Sequence, residues 1–161
     1  MTAFEQTLTF SSDTETAAFA AGLAARLGPG DVILLQGGLG AGKTHFARSL
    51  IQSRLAAVGL SEDVPSPTFT LVQVYSDGAT EIWHSDLYRL TSPDEVAELG
   101  LGDAFADAIC LVEWPDRLDD MTPSGALTLE LAMTDREGER VARLSSEDAR
   151  WQAIVPDMAD V

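Results

Sequence analysis

Lysine and cysteine are almost absent from this 161-residue chain, which contains one of each. The only lysine is Lys43, and every other basic residue is an arginine. The only cysteine, Cys110, rules out an internal disulfide framework and is consistent with a reducing compartment. Cys110 lies in an apolar run, so we expect a buried structural thiol. No apolar run approaches the roughly 18 residues that span a bilayer, and no membrane segment is predicted.

Basic charge is scarce as well. The chain contains 10 Lys and Arg residues and 26 Asp and Glu residues, which gives a formal net charge of −16. Affinity for nucleic acids comes largely from Lys and Arg contacts to phosphate, so any work on RNA is expected to pass through a partner. Solubility or adaptation to salt explains the acidity equally well. The first ten residues contain no base and no long apolar stretch, so we predict no signal peptide and a cytoplasmic protein.

Apolar runs alternate with amphipathic stretches along the chain. The continuous runs Val32–Leu35 and Ile109–Val112 predict buried parallel strands. A capping box at Ser12–Glu15 predicts a helix that ends at Gly28. The other predicted elements are a strand at Thr7–Phe10, a hairpin of Phe69–Tyr75 and Thr80–Asp86, a helix from Ser92, a hairpin of Ala126–Met133 and Glu139–Leu144, and a last helix near Ser146. We therefore predict a single α/β domain over residues 1–161, a three-layer sandwich whose mostly parallel central sheet is extended by antiparallel strands.

Residues 37–44, Gly-Gly-Leu-Gly-Ala-Gly-Lys-Thr, match the phosphate-binding pattern G-x-x-x-x-G-K-[ST]. Glycines let backbone N–H groups converge on an anion, and the helix that follows adds the positive end of its dipole. Lys43 is expected to reach the β- and γ-phosphates, and the Thr44 hydroxyl to ligate Mg²⁺. The motif follows an apolar strand and precedes an amphipathic stretch, which is the context it requires. It predicts a P-loop NTPase-like fold that binds ATP or GTP.

Such a loop needs a carboxylate at the end of a neighbouring strand, and the sequence offers two. Glu113 ends the run Ile109–Val112, and Asp86 ends the second strand of the first predicted hairpin. The ordinary alternative for each is a solvated acid at a strand end. Trp114 either shields the site or belongs to the core, and the sequence favours the core. His84 is interpreted as a polar group satisfied within its strand.

Four blocks in order, at 37–44, 66–72, 84–90 and 111–115, resemble the TsaE (YjeE) family, the ATPase of the bacterial tRNA threonylcarbamoyladenosine pathway. The first block is generic, but the other three are specific in combination. The resemblance spans about Ser12–Leu144. It implies binding of ATP and Mg²⁺ and action on a complex of TsaD and TsaB. That complex installs threonylcarbamoyl on adenosine 37 of tRNAs that read codons beginning with A, so tRNA is contacted only indirectly.

The resemblance also implies roles for individual residues. Thr44 and Glu113 are the implied ligands of Mg²⁺. Lys43, Asp86 and Glu113 are the implied catalytic residues, with Asp86 near the γ-phosphate. The implied nucleotide contacts are Asp13, Gly38, Leu39, Gly40, Ala41, Gly42, Lys43, Thr44 and Arg140.

Three details of this assignment have alternatives. Asp13 either contacts nucleotide or only helps to cap the first helix. Arg140 is chosen as the nucleotide-contacting arginine of the late hairpin, with Arg136 as the alternative. Thr68 and Thr70 fall in a switch-like segment of the family.

Two other functions remain open on the residues. A small-molecule kinase would have a similar size and loop, but such enzymes usually carry a mobile lid with arginines that clamp the transferred phosphoryl group. Beyond Glu113 the arginines are few and scattered, with no lid-like insertion. A switch that binds ATP without turnover is the other alternative.

Overall fold

The protein is described here by a computed structural model that covers residues 2–157. The strands are β1 Phe4–Phe10, β2 Val32–Gln36, β3 Val72–Ser76, β4 Glu81–Asp86, β5 Ile109–Glu113, β6 Leu127–Met133 and β7 Arg140–Ser146. The helices are α1 Asp13–Ala24, α2 Lys43–Ala56, α3 Pro93–Ala97, α4 Leu101–Asp107 and α5 Trp151–Ile154, with a 3₁₀ segment at Pro115–Met121. The predicted domain also included Met1 and residues 158–161, which lie outside the described residues.

The seven strands form one sheet in the order β1-β7-β6-β2-β5-β4-β3. Its central strands β6, β2, β5 and β4 run parallel, whereas β7 and β1 extend one edge and β3 the other in antiparallel pairing. The predicted α/β sheet with a parallel centre and added antiparallel strands is confirmed.

Helices cover both faces of the sheet. On one face α1 and α2 bury Phe19, Phe46 and Leu50. On the other, α3, α4 and the 3₁₀ segment pack around the apolar side of β5, which includes Cys110. Cys110 is fully buried as expected, and burial raises the pKa of its thiol to about 12. Within residues 2–157, no helix has the length and apolar character that crossing a membrane requires.

Pairing between β1 and β7 corrects two predicted boundaries. β1 begins at Phe4 rather than Thr7, because its backbone pairs with β7 as far as Phe4 opposite Ser146. Ser146 therefore ends a strand, and the last helix begins at Trp151 instead of near Ser146. By contrast, the predicted hydroxyl cap is confirmed, since Ser12 accepts a hydrogen bond from the Glu15 N–H, while the Glu15 carboxylate accepts from the Ser11 N–H.

The first hairpin also starts later than predicted, at Val72 rather than Phe69. Leu71 has a left-handed φ of 71°, and its N–H donates to the oxygen of Pro67, which closes a turn before the strand. The Leu71 oxygen accepts a hydrogen bond from the N–H of Asp86. Residues 66–71 are thus a loop held beside the end of β4.

Candidate nucleotide-binding site

Three adjacent strands of the parallel centre end at the same edge of the sheet. β2 leads into the loop of residues 37–44, β4 ends at Asp86 and β5 ends at Glu113. Asp86 lies directly opposite Glu113, and Glu113 lies opposite Leu35 in the register. The crevice beyond the carboxyl ends of parallel strands is where α/β proteins of this kind bind ligands.

The loop needs its glycines for steric reasons. Gly37 has a φ of 142°, and a Cβ there would come within 2.5 Å of the Leu131 oxygen. Gly42, at the start of α2, has a φ of 105°. Within residues 2–157, the backbone N–H groups of Leu39, Gly40 and Gly42 are among those of the loop that donate no hydrogen bond to the rest of the chain. Such free donors at a helix N-terminus suit an anion.

Lys43 is 5% exposed and is the first residue of α2. Its ammonium donates hydrogen bonds to the oxygens of Gly37 and Gly38, the latter at 3.2 Å. It also lies 3.7 Å from the centroid of the Trp114 ring. Among the described residues, the hydrogen-bond partners of this buried ammonium are thus neutral carbonyl oxygens, and phosphate oxygens would be stronger acceptors.

Trp114 is not a core residue, so that interpretation was wrong. It is partly exposed in the crevice, and its ring packs against Tyr88 with centroids 4.8 Å apart. Its φ of 57° is left-handed and turns the chain directly after β5. Sequence patterning missed this because an aromatic after a buried strand ordinarily continues the core.

Glu113 is 2% exposed and bonded to two side chains. The Thr44 hydroxyl lies 3.0 Å from Oε1 and 3.1 Å from Oε2 of Glu113. The Nε2 of His84 donates to Oε2 at 2.6 Å. The two predicted metal ligands are thus in direct contact. The polar partner of His84 is therefore Glu113, a predicted site residue on the neighbouring strand. The position of His84 within its own strand did not reveal this contact.

Asp86 is 4% exposed and bonds to the loop of residues 66–71. Its Oδ2 accepts from the Thr68 hydroxyl at 3.1 Å, and its Oδ1 accepts from the Tyr88 N–H at 3.0 Å. Thr70, in contrast, bonds to Gln73. Of the two threonines in the switch-like segment, only Thr68 contacts a predicted site residue.

The two candidates for which the sequence left an alternative, Arg140 and Asp13, both line the cleft. Arg140 donates through Nε to the Ala41 oxygen at 2.9 Å, whereas Arg136 bonds within its own turn. Asp13 begins α1, and its backbone oxygen accepts from His45 Nε2 at 3.1 Å. The side chain that caps α1 is that of Ser12, so Asp13 is not needed for that task.

The predicted site residues line one cleft of about 360 Å³, within the range of small-ligand pockets. Its lining comprises Asp13, Gly38, Leu39, Gly40, Ala41, Gly42, Lys43, Thr44, His45, Thr68, Asp86, Glu113, Trp114 and Arg140. Within the described part of the chain, no group of three or more His, Cys, Asp or Glu side chains could enclose a metal.

Fold and site together define a protein of the P-loop NTPase-like class. The model of the family described as "Threonylcarbamoyl adenosine biosynthesis protein TsaE" matches residues 10–142. The chain belongs to the TsaE family, which confirms the resemblance seen in its motifs.

Individual relatives match over most of their length. The chain is 37% identical over 137 residues to the tRNA threonylcarbamoyladenosine biosynthesis protein TsaE of Rickettsia bellii, covering 85% of this chain and 92% of that protein. It is 34% identical over 146 residues to the TsaE protein of Bacillus subtilis, covering 90% and 88%. The crystal structure of YdiB from Bacillus subtilis superimposes with a TM-score of 0.74 at 28% identity, covering 99% of this chain and 97% of that one.

Proposed function

We propose that this protein binds and hydrolyses ATP with Mg²⁺ and thereby serves the TsaD–TsaB complex in threonylcarbamoylation of adenosine 37 of tRNAs reading ANN codons. The observation that carries the proposal is the convergence of Lys43, Thr44, Asp86 and Glu113 in one cleft. Membership of the TsaE family supports the pathway, since the relatives are named for tRNA threonylcarbamoyladenosine biosynthesis.

The residues of the cleft fit a triphosphate and its metal. Within residues 2–157, the hydrogen bonds of the buried Lys43 ammonium go to backbone carbonyls, and N–H groups of the same loop donate no hydrogen bond. Thr44 and Glu113 offer the hydroxyl and carboxylate oxygens that Mg²⁺ prefers. When bound, the metal neutralises developing charge on the phosphates.

Each side chain then has a defined task in hydrolysis. Lys43 would exchange its carbonyl partners for phosphate oxygens, and Thr44 and Glu113 would hold the metal. Asp86 lies opposite Glu113 at the end of the neighbouring strand and is assigned to the attacking water near the γ-phosphate. Arg140, bonded to the loop, adds a second positive charge at the cleft.

We expect slow turnover by the isolated chain, because the side chains of the cleft are already engaged by other partners. Both oxygens of Asp86 already accept hydrogen bonds, one of them from Thr68, and Lys43 is engaged by the loop. These contacts must be exchanged before the site is complete. A partner that repositions residues 66–71 would release Asp86, so stimulation by TsaD–TsaB is part of the proposal.

The small-molecule kinase is disfavoured. Within residues 2–157, Arg140 is the only arginine that lines the cleft. The segment after β5 is a short 3₁₀ turn that leads into β6, with no lid-like insertion. The lid and arginine clamp of such enzymes therefore have no counterpart among the described residues.

The test is reconstitution with TsaD and TsaB from the same organism. Phosphate release and threonylcarbamoylation of tRNA are measured with the wild-type chain, without it, and with Lys43→Ala. We expect stimulated ATP hydrolysis and modification only with the wild-type chain. Loss of several charge-assisted hydrogen bonds, each worth about 1.5–3 kcal/mol, should abolish productive binding in Lys43→Ala while the fold remains. Unchanged hydrolysis by folded Lys43→Ala would contradict the proposal.

A further inference from the structure

His84 is fully buried in β4 and bonded to the neighbouring strand. Its Nε2 donates to Glu113 Oε2 at 2.6 Å, and because a carboxylate only accepts, the proton lies on Nε2. Within residues 2–157, Nδ1 has no hydrogen-bond partner. Among these residues, the only polar partner of the ring is thus Glu113, a candidate metal ligand. We propose that His84 is a positioning residue that determines which oxygen of Glu113 faces the magnesium ion, an inference that rests on the proposed function.

The two oxygens of Glu113 are not equivalent. The single proton of the Thr44 hydroxyl is shared between Oε1 and Oε2, and among the described residues only Oε2 also accepts from His84. Oε1 therefore keeps more lone-pair capacity and is the oxygen available to the metal or its water. His84 also prevents the carboxylate from rotating, because a turn about its last bond would break the 2.6 Å contact.

Burial makes this contact consequential. Glu113 is 2% exposed, so water cannot replace a donor that is lost. Partners that orient metal ligands in this way typically contribute about 10- to 100-fold to metal affinity. If His84 served the fold alone, its replacement would lower stability and leave the Mg²⁺ requirement of the folded protein unchanged.

Substitution of His84 by Gln or by Asn distinguishes the roles of the two ring nitrogens. The Gln amide nitrogen reaches about as far as Nε2 and can keep the bond to Glu113, whereas the Asn amide nitrogen reaches only as far as Nδ1. The matched control is Ser85→Ala. Ser85 is the next residue of β4, equally buried, on the opposite face of the sheet, and its hydroxyl has no hydrogen-bond partner within the described residues.

The experiment measures binding of a fluorescent ATP analogue, first in EDTA and then during titration with Mg²⁺, alongside thermal melting. For His84→Asn we expect nucleotide affinity in EDTA close to that of the wild type, and a Mg²⁺ midpoint raised about 10- to 100-fold. His84→Gln should restore most of the shift, and Ser85→Ala should show none. If His84→Asn does not fold, His84→Leu, which cannot form a hydrogen bond to Glu113, takes its place. A folded variant lacking the bond but keeping the wild-type midpoint overturns the proposal.

Combination with Glu113→Ala gives a second test. Because His84 acts through Glu113, adding His84→Asn to Glu113→Ala should shift the Mg²⁺ midpoint no further. Additive shifts would overturn the inference. The proposed function is tested separately by the wild type: absence of Mg²⁺-dependent nucleotide binding would refute that function, whereas normal wild-type binding with an unshifted His84→Asn would refute only the role of His84.

Discussion

The ammonium group of Lys43 lies 3.7 Å from the centroid of the Trp114 ring, in cation–π contact. Trp114 adopts a left-handed φ of 57° to reach this position, which costs a bulky residue about 1–3 kcal/mol. A cation–π contact contributes about 0.5–2 kcal/mol, so it offsets part of this strain. The indole is therefore held against the group that a nucleotide must engage.

The fluorescence of Trp114 should report nucleotide binding. A triphosphate draws the Lys43 ammonium away from the ring, and removal of a charge from an indole face changes its emission. We expect a change on addition of Mg²⁺ and ATP in the wild type that is largely lost in Trp114→Phe. The other tryptophans, Trp83 and Trp151, are not lining residues of the cleft and supply a constant background. An undiminished change in Trp114→Phe would contradict the prediction.

Nucleotide affinity should depend on pH through Lys43. Burial lowers the pKa of Lys43 below its ordinary value of 10.5, although Glu113 and Asp86 oppose the shift. Bound phosphates favour the charged form and raise this pKa, so binding takes up a proton once the pH exceeds the pKa of the free protein. Affinity should thus be constant at lower pH and fall as pH rises through the lowered pKa.

Because Lys43 is the only lysine, isotope-labelled lysine gives its titration directly by NMR. The midpoint of the fall in affinity should coincide with this pKa, below the range of an exposed lysine. Lys43→Arg, whose side chain stays charged throughout, should remove the pH dependence. A wild-type affinity that is flat across the titration of Lys43 would contradict the link.

Glu113 and Asp86 should differ in the step that they affect. Glu113→Ala removes one of few anionic ligands and should weaken Mg²⁺-dependent nucleotide binding at least about tenfold. Asp86→Ala should mainly slow turnover, by roughly 10²- to 10⁴-fold if Asp86 acts on the attacking water. Mg²⁺ titrations and single-turnover hydrolysis separate the effects. If Asp86→Ala weakens Mg²⁺ binding more than Glu113→Ala does, the two roles are reversed.

Local patterns predicted the parts of the fold that local chemistry determines. The loop of residues 37–44, the buried strands β2 and β5, and the cap at Ser12 follow from glycine geometry, apolar runs and a capping hydroxyl. The extent of β1 did not, because its first residues are held by pairing with β7, more than 130 positions away, as at Phe4 and Ser146. Helix α4 and the 3₁₀ segment were not predicted, since short amphipathic turns leave little periodicity.

The sequence predicted the site residues that belong to a recognisable motif. It did not predict the residues whose role depends on tertiary contacts. The sequence alone identifies Lys43, Thr44 and the strand-end acids Asp86 and Glu113. His84 and Trp114 were interpreted as ordinary strand and core residues. Their roles depend on the register that sets β4 beside β5 and on the backbone turn after Glu113, and neither is encoded in local spacing.

Binding of the partner complex should depend on the state of the nucleotide. With a net charge of −16, the isolated chain should bind tRNA negligibly at physiological salt, and its effect on modification must pass through TsaD–TsaB. Residues 66–70 are the best candidates for the contact, because Thr68 bonds to Asp86 beside the cleft while Phe69 is 81% exposed. A γ-phosphate that displaces Thr68 from Asp86 would reposition Phe69, and hydrolysis would reverse the change.

The measurement is the affinity for TsaD–TsaB in an ATP analogue, in ADP and without nucleotide. We expect the tightest association in the analogue, weakened several-fold or more by Phe69→Ala with nucleotide binding unchanged. Val58→Ala is the matched control, since Val58 is a half-exposed apolar residue just beyond the C-terminal end of α2. At 1.5 Å per residue, the length of α2 places Val58 roughly 20 Å from the loop of residues 37–44. A ligand that binds two conformational states with equal affinity does not shift the equilibrium between them. Equal affinity in all three nucleotide states would therefore contradict a nucleotide-dependent switch. An equal loss of affinity in Phe69→Ala and Val58→Ala would contradict a contact at residues 66–70.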